Sequence, residues 1–401
     1  MSIDATSSLP VPPVIRSRLH LAAERGESLA PADIPVNQAG VTYDMAQQAT
    51  WLDSQHFAVG RWDGSLSIFE FNTAPSSGPL ITSAVSTPAS EGLQMITWLS
   101  NKSFVTSNDD GSLILWNSPS GSWQDLNMLQ NLAYKVEWGV ANSGETLVIN
   151  NYLYLVVGHA NGFVTIWSGP TSGTNLNLLN MVDVRSSHPT NPWNLHNVRG
   201  VSHIWFSSNV VTGSEDGDLC VISIPSGQIL SRTTYNPGAQ RGINSISTFG
   251  QNLLVANCSV GPNDKNLWYY WIDGNNWSIS LRDSTNLKVN PNAPQVFNFC
   301  VTWATYPNGA CFFSSTEEGA LWMGTIINNQ NLSIFGNKVV TSPLGAALAF
   351  SYNTNLVYVS YDLYEFTTGS PSTPGGPSPT PGEHVNPQDI SGLIKADNPP
   401  S

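Results

Sequence analysis

The sequence predicts an all-β fold, a seven-bladed β-propeller of four-stranded antiparallel blades whose ring is closed by an N-terminal strand. Three observations lead there. The first is a hairpin signature, Asp109-Asp110-Gly111-Ser112-Leu113-Ile114-Leu115-Trp116, preceded by Ser103-Phe104-Val105-Thr106-Ser107. Glycine enters positive φ without steric cost, so an acidic-Gly turn reverses the chain sharply between two strands. Both flanking runs are rich in β-branched and aromatic residues. The second is recurrence, at Trp62-Asp63-Gly64, Ala160-Asn161-Gly162, Glu215-Asp216-Gly217 and Glu317-Glu318-Gly319, each followed by an apolar run. The third is the period. Gly64 to Gly111 spans 47 residues, Gly111 to Gly162 spans 51, and Gly162 to Gly217 spans 55. The 102 residues from Gly217 to Gly319 hold two periods, with a degenerate copy at Val255-Ala256-Asn257-Cys258 and Leu267 to Trp271. Units of this size hide their apolar faces by stacking around a common axis.

Taken in order, residues 1–32 form an N-terminal extension, partly disordered, with a Ser/Pro-rich start. Residues 33–366 form the propeller. Asp33-Ile34-Pro35-Val36 is the expected donor of the missing strand, because an open sheet edge is a liability. The blades open at Val41-Thr42-Tyr43, Met95 to Trp98, Tyr134 to Trp138, Val198 to Phe206, Ile243 to Ile246, Phe299 to Trp303 and Ala347 to Phe350. The last stops after Leu363 to Phe366, one strand short. Residues 367–401 begin with a Pro/Gly/Ser-rich linker and carry a short apolar patch, Asp389 to Ile394, read as a docking peptide or plain tail.

Composition bounds the partners. Of 401 residues 40% are hydrophobic, and 14 Trp supply large core side chains. Charged residues are 11% and the net charge is −13, which excludes the basic footprint that nucleic acid or an anionic membrane requires. Cys220, Cys258, Cys300 and Cys311 lie in or beside apolar strands without metal spacing and read as buried free thiols. With no basic segment leading into an apolar run at the start, the expected location is the cytoplasm, with export by an unrecognised route left open.

The acidic-Gly turn followed by an apolar strand ending in Trp resembles the WD-repeat family. That resemblance implies a propeller whose blades are tied by a turn Asp, a third-strand Trp, a second-strand Ser/Thr and a His before the first strand. The matching turn positions are Asp63, Asp110 and Asp216, with Asn161 and Glu318 as variants; the Trp matches are Trp116 and Trp167. Phe69 and Ile222 stand where Trp is expected, and Gly158-His159 follows a second strand instead of preceding a first. His196 sits near the His position.

For chemistry, the sequence carries no nucleophile elbow, no phosphate or dinucleotide loop and no His/Cys metal pattern, so no cofactor and no metal is expected. Asn108-Asp109-Asp110-Gly111 lacks the later carboxylate of a calcium loop and reads as a turn. The reading that follows is a non-catalytic interaction scaffold for a protein or peptide, with basic character favoured by the acidic excess. It would act as a monomer or as a subunit of a hetero-complex. The expected contact face is the turn face around the channel, carrying Arg61, Trp62, Asp109, His159, Glu215 and Glu317. Two alternatives stand beside it. One is a glycan-binding propeller using Trp62, Trp123, Trp193 or Trp277; the other is an enzyme at the channel mouth near His188 and His196.

Overall fold

A computed structural model describes residues 31–35, 46–53, 56–61, 64–70, 80–86, 92–100, 102–186, 196–205, 207–234, 242–257, 264–293, 296–304, 311–316, 318, 320–339, 348–351, 356–359, 362–365 and 394–395. Nearly all regular structure in them is strand. The first blade is Ala46–Trp51, His56–Arg61, Ser65–Glu70 and Leu80–Ser86. The second is Leu93–Ser100, Ser103–Asn108, Leu113–Asn117 and Asn127–Asn131. The third is Ala141–Ile149, Tyr152–His159, Phe163–Pro170 and Asn177–Asp183. The fourth is Val198–Ile204, Asn209–Ser214, Asp218–Ser223 and Ile229–Thr234. The fifth is Ile243–Phe249, Asn252–Asn257, Leu267–Ile272 and Ile279–Thr285. The sixth is Asn298–Ala304, Cys311–Thr316, Ala320–Ile327 and Asn331–Val339.

The blade count corrects the sequence expectation: the structure has six four-stranded antiparallel blades, not seven. The remaining sheet is of another construction. It has five strands, Leu348–Ser351, Leu356–Val359, Asp362–Glu365, Pro31–Pro35 and Ile394–Lys395 in that order, and the last pair is parallel. It is gathered from both ends of the chain, so no single fifty-residue repeat encodes it, and its C-terminal strands are only two to four residues long. Its first strand lies against the first strands of the first and sixth blades.

Each blade orders its strands as they occur in the chain, so first strands face the axis and fourth strands the rim. The middle strands are buried along their length, because a neighbouring blade covers each of their faces and the polar residues they carry are enclosed with them. His56–Arg61, Ser103–Asn108 and Asn209–Ser214 are buried at every position. Between blades the core divides into separate clusters, such as Met95, Val105, Leu155 and Trp167 between the second and third. The turn glycines read from the sequence, Gly64, Gly111, Gly162 and Gly217, have φ of 78°, 86°, 80° and 91°. At Gly111 a Cβ would also strike the Tyr134 ring at 2.3 Å. Neither the buried Cys220 nor the partly exposed Cys300 is in a disulfide, and burial pushes the Cys220 thiol up to about 12; Cys258 lies outside the described residues.

The third blade departs from expectation. Tyr134 to Trp138, read as its first strand, is a connection carrying a short 3-10 turn over Val136–Trp138. The strand itself is Ala141–Ile149, a run holding Gly144 and Glu145. Gly144 is set by packing, since a Cβ there would meet Thr97 Oγ1 at 2.4 Å and the Met95 sulfur at 2.8 Å. In the first blade the described first strand is Ala46–Trp51, and Val41 to Tyr43 lie outside the described residues.

Candidate functional site: the turn face

The second-to-third-strand turns and the connections entering each first strand share one end of the ring. Their local structure is held by a buried polar residue three positions before each turn glycine: Arg61, Asn108, His159 and Ser214. Arg61 Nη1 donates to Ser67 Oγ at 2.8 Å. In the third blade the chain of donors has a fixed direction. Trp167 Nε1 donates to Thr165 Oγ1 (3.0 Å), the hydroxyl lies 2.8 Å from His159 Nε2, and His159 Nδ1 faces the Gly139 carbonyl at 3.2 Å. A carbonyl only accepts, so Nδ1 carries the proton and Nε2 accepts from Thr165. Burial pushes His159 down to about 4, which keeps this neutral tautomer in place at neutral pH.

The fourth blade assembles three of the four resembled tie residues. Asp216 is fully buried and uses both oxygens. Oδ2 accepts from His196 Nδ1 at 3.0 Å and from Ser186 N at 2.9 Å; Oδ1 accepts from the Ser214 hydroxyl and from Asp218 N at 3.2 Å. The connection ahead of the blade is pinned again by Arg232, which donates to Asp218 Oδ2 at 2.6 Å and to the Val184 carbonyl at 2.9 Å. Arg185 lies 4.8 Å from the centre of the Phe163 ring, and its hydrogen bonds to Asp183 hold that carboxyl below the usual range. Ser214 donates to a carboxylate and not to an imidazole, so this Ser–Asp–His set is a structural tie without an activated nucleophile. His188 lies outside the described residues.

In the second blade the equivalent Asp110 is exposed, and its Oδ1 accepts from Ser112 N at 2.8 Å, an Asx turn. Here the tie is Trp116 Nε1 to Thr106 Oγ1 at 2.8 Å. Glu318 accepts from Val289 N and Asn290 N at 2.7 and 3.0 Å, holding the connection into the sixth blade. Asn161 Nδ2 donates to the Glu137 carbonyl at 3.1 Å.

The six residues expected to meet a partner therefore separate. Arg61 and His159 are buried within their blades. Glu215 is taken up by Arg199 Nε at 2.7 Å and Asn197 Nδ2 at 2.8 Å. Asp109 is exposed, with Gln94 Nε2 at 2.7 Å. Trp62 and Glu317, with the turn residue Asp63, lie outside the described residues. The sequence reading passed over the most exposed apolar residue on this face, Val136, at 81%. It stands between Lys135 and Glu137, themselves 3.6 Å apart. The segment spans two turns: Tyr134 packs on Gly111, while Asn161 N donates to the Trp138 carbonyl at 2.9 Å. The sequence expectation had placed Val136 within a first strand.

Two of the tryptophans considered for sugar stacking are committed elsewhere. Trp123 is fully buried, and Trp277 packs partly buried against the cluster between the fourth and fifth blades. Trp193 lies outside the described residues, with Trp62.

Around the axis, side chains of one first strand satisfy backbone groups of the next. Thr248 N donates to Ser202 Oγ (3.1 Å), and Trp303 N to Ser247 Oγ (3.3 Å). Glu145 holds the corresponding place in the third blade. Its Oε2 accepts from His203 N at 3.1 Å and its Oε1 turns back to Thr146 N at 3.0 Å, while Thr97 Oγ1 one blade earlier has no hydrogen-bond partner. Burial pushes the Glu145 carboxyl up to about 7 against the pull of those two N–H groups. The folded chain keeps a proton that the unfolded chain releases near 4.5, so this group's contribution is full below 4.5 and is lost as pH rises to about 7. Glu145→Gln is expected to show a fixed offset at pH 4.5, from turning one acceptor into a donor. Relative to wild type it then gains about 2 kcal/mol by pH 8. Urea unfolding at both pH values measures the change, and a pH-independent difference would refute it. His159, with the opposite slope, cancels in the subtraction.

Together the blades, the turn ties and the axial stitching define a β-propeller. Among solved structures, the chain is similar to the crystal structure of the Cps50 (Swd1) β-propeller domain from Myceliophteria thermophila. The match covers 84% of this chain and 100% of that one, with a TM-score of 0.60 and 12% sequence identity. At that identity the likeness carries the fold alone. No protein-family model and no curated protein sequence matches the chain.

Proposed function

We propose that this chain is a non-catalytic scaffold that takes a protein or peptide with basic character on the turn face, at the corner between the second and third blades. The observation that carries this reading is Val136. A β-branched side chain 81% exposed on a tied connection, flanked by the Lys135–Glu137 pair and joined through Tyr134 to the turn that exposes Asp109 and Asp110, offers an apolar anchor in a rim of net negative charge. The net charge of −13 steers a cationic partner toward such a rim.

Affinity purification from the native source with wild type and a Val136→Asp/Glu137→Lys double variant tests the assignment. Both positions are exposed, so the variant is expected to keep its thermal unfolding profile while retaining at least tenfold less of the partner that wild type holds at low salt. Equal retention by the two would place the contact elsewhere on the molecule.

A further inference from the structure

Strand direction alternates along each blade, so the hairpins joining first to second and third to fourth strands stand at the end of the ring opposite the turn face. At this end the third and fourth blades present no charge. Residues 149–152, 170–176 and 223–228, with Trp205 and Ser207 to Asn209, are all neutral. The charged side chains of the second blade at this end are bonded within it: Lys102 Nζ donates to the Pro119 carbonyl at 3.0 Å, and Asp125 accepts from Ser118 Oγ at 2.6 Å. The turn face, by contrast, exposes Asp109, Asp110, Lys135 and Glu137.

Three large side chains are exposed around one hairpin of this neutral end: Trp98 at 36%, and Val148 and Tyr152 at 59% each. The Thr146 hydroxyl donates to the Trp98 carbonyl, which sets the end of the second blade's first strand against that of the third. Val148, two residues beyond Thr146, shares its face of the strand. Tyr152 pairs with Ile149 and stands on the other face of the hairpin. The Trp98 ring is fixed, since Nε1 donates to the Leu52 carbonyl at 2.8 Å. Between Val148 and Tyr152 the chain reverses at Asn150 and Asn151, both exposed, with φ of 50° and 65°. Two successive positive φ values make a rigid turn whose second residue is usually Gly. Asn151 keeps a side chain there despite the steric cost. Neither carboxamide, nor the Tyr152 hydroxyl, has a hydrogen-bond partner among the described residues.

We propose that this hairpin, with the Trp98 ring beside it, is a binding site for a neutral oligosaccharide. A pyranose offers apolar C–H faces that pack on aromatic rings, and hydroxyls that both donate and accept. The exposed rings of Trp98 and Tyr152 meet the first need. The second is met by Asn150 and Asn151, because a carboxamide carries donor and acceptor on one planar group. An uncharged surround suits an uncharged ligand, while a charged partner would find no counter-charge here to steer or hold it. The turn holds its carboxamides ready, so little order is lost on binding. Because the two rings flank opposite faces of one hairpin, the ligand is a chain of several sugars crossing the tip and not a single residue. The site lies at the far end of the ring from Val136 and does not rest on the scaffold reading.

Isothermal titration of the full chain with the neutral hexasaccharides of the cello-, xylo-, manno- and chito- series is the test. At least one is expected to bind, more tightly than its trisaccharide, with an affinity that changes less than about twofold between low and high salt. Tyr152→Ser is expected to weaken that binding by about tenfold, and Asn151→Gly by about fivefold. Asn151→Gly gives the turn its preferred residue, so it keeps or raises the thermal unfolding temperature, and its lost affinity cannot come from misfolding. Hydrogen exchange is expected to slow at residues 148–152 when the sugar is bound. Failure of all four hexasaccharides to bind overturns the proposal, as does wild-type affinity in both variants. Binding that weakens steeply with salt, or protection confined to other residues, overturns it as well.

Discussion

Asp216→Ala lowers the free energy of unfolding by about 3–5 kcal/mol, the range for removing one member of a buried charged network. The size of the effect comes from what is left behind. Ser214 and His196 lose their shared acceptor, and the backbone N–H groups of Ser186 and Asp218 lose theirs. Each unmet buried donor costs about 1–3 kcal/mol, offset in part by relaxation toward water on the His196 side, where the ring is 19% exposed. Asp110→Ala is the matched control. It removes the same residue from the same turn position, but there the carboxylate is exposed and its recorded role is the bond from Ser112 N, so the expected cost is within about 1 kcal/mol. Urea denaturation followed by tryptophan fluorescence reads both. Equal costs at the two sites would show that the fourth-blade tie does not hold that blade.

The contrast between these two aspartates marks how far the sequence could be read. The acidic-Gly turns were legible because positive φ demands a particular residue at a particular place, and four of the glycines occupy that region. The middle strands were legible because burial on both faces selects apolar and β-branched residues such as Phe104, Val105 and Thr106 or Val210, Val211 and Thr212. Whether a turn Asp is buried depends instead on a His arriving from a connection twenty residues earlier, as His196 reaches Asp216. Two of the residues chosen for the partner face by their place beside the turns, Arg61 and His159, turn inward for the same reason. Arg61 and His159 look like surface residues in the chain, yet each is the polar end of a buried strand. The first strand of the third blade escaped notice because Gly144 and Glu145 answer to neighbouring blades and not to strand propensity. The blade count failed where the repeat itself fails, in a sheet drawn from both termini.

Trp123→Ala is expected to cost a further large amount, about 3–5 kcal/mol, the range for truncating a buried aromatic. In the chain Trp123 sits in a Ser/Gly-rich stretch after a strand, the setting of an exposed ring. The structure turns it inward. Its φ of 60° is unusual for a bulky residue, and the backbone is steadied by Trp123 N donating to Ser118 Oγ at 3.0 Å. The ring lies 5.8 Å from that of Phe104 in the cluster between the first and second blades. Its Nε1 donates at 2.8 Å to Asp53 Oδ2, and Asp53 also accepts from His56 N. One side chain thus closes a gap between blades and engages a carboxylate from the blade before it. Trp123→Phe separates the two contributions: it keeps most of the packing and loses only the indole donor, for an expected cost of about 1–2 kcal/mol. Equilibrium unfolding of the two variants orders them Ala well below Phe, and Phe below wild type. A ring used for stacking on sugars would give the reverse, with both variants as stable as wild type, and that outcome would restore Trp123 to the surface role its sequence context suggests.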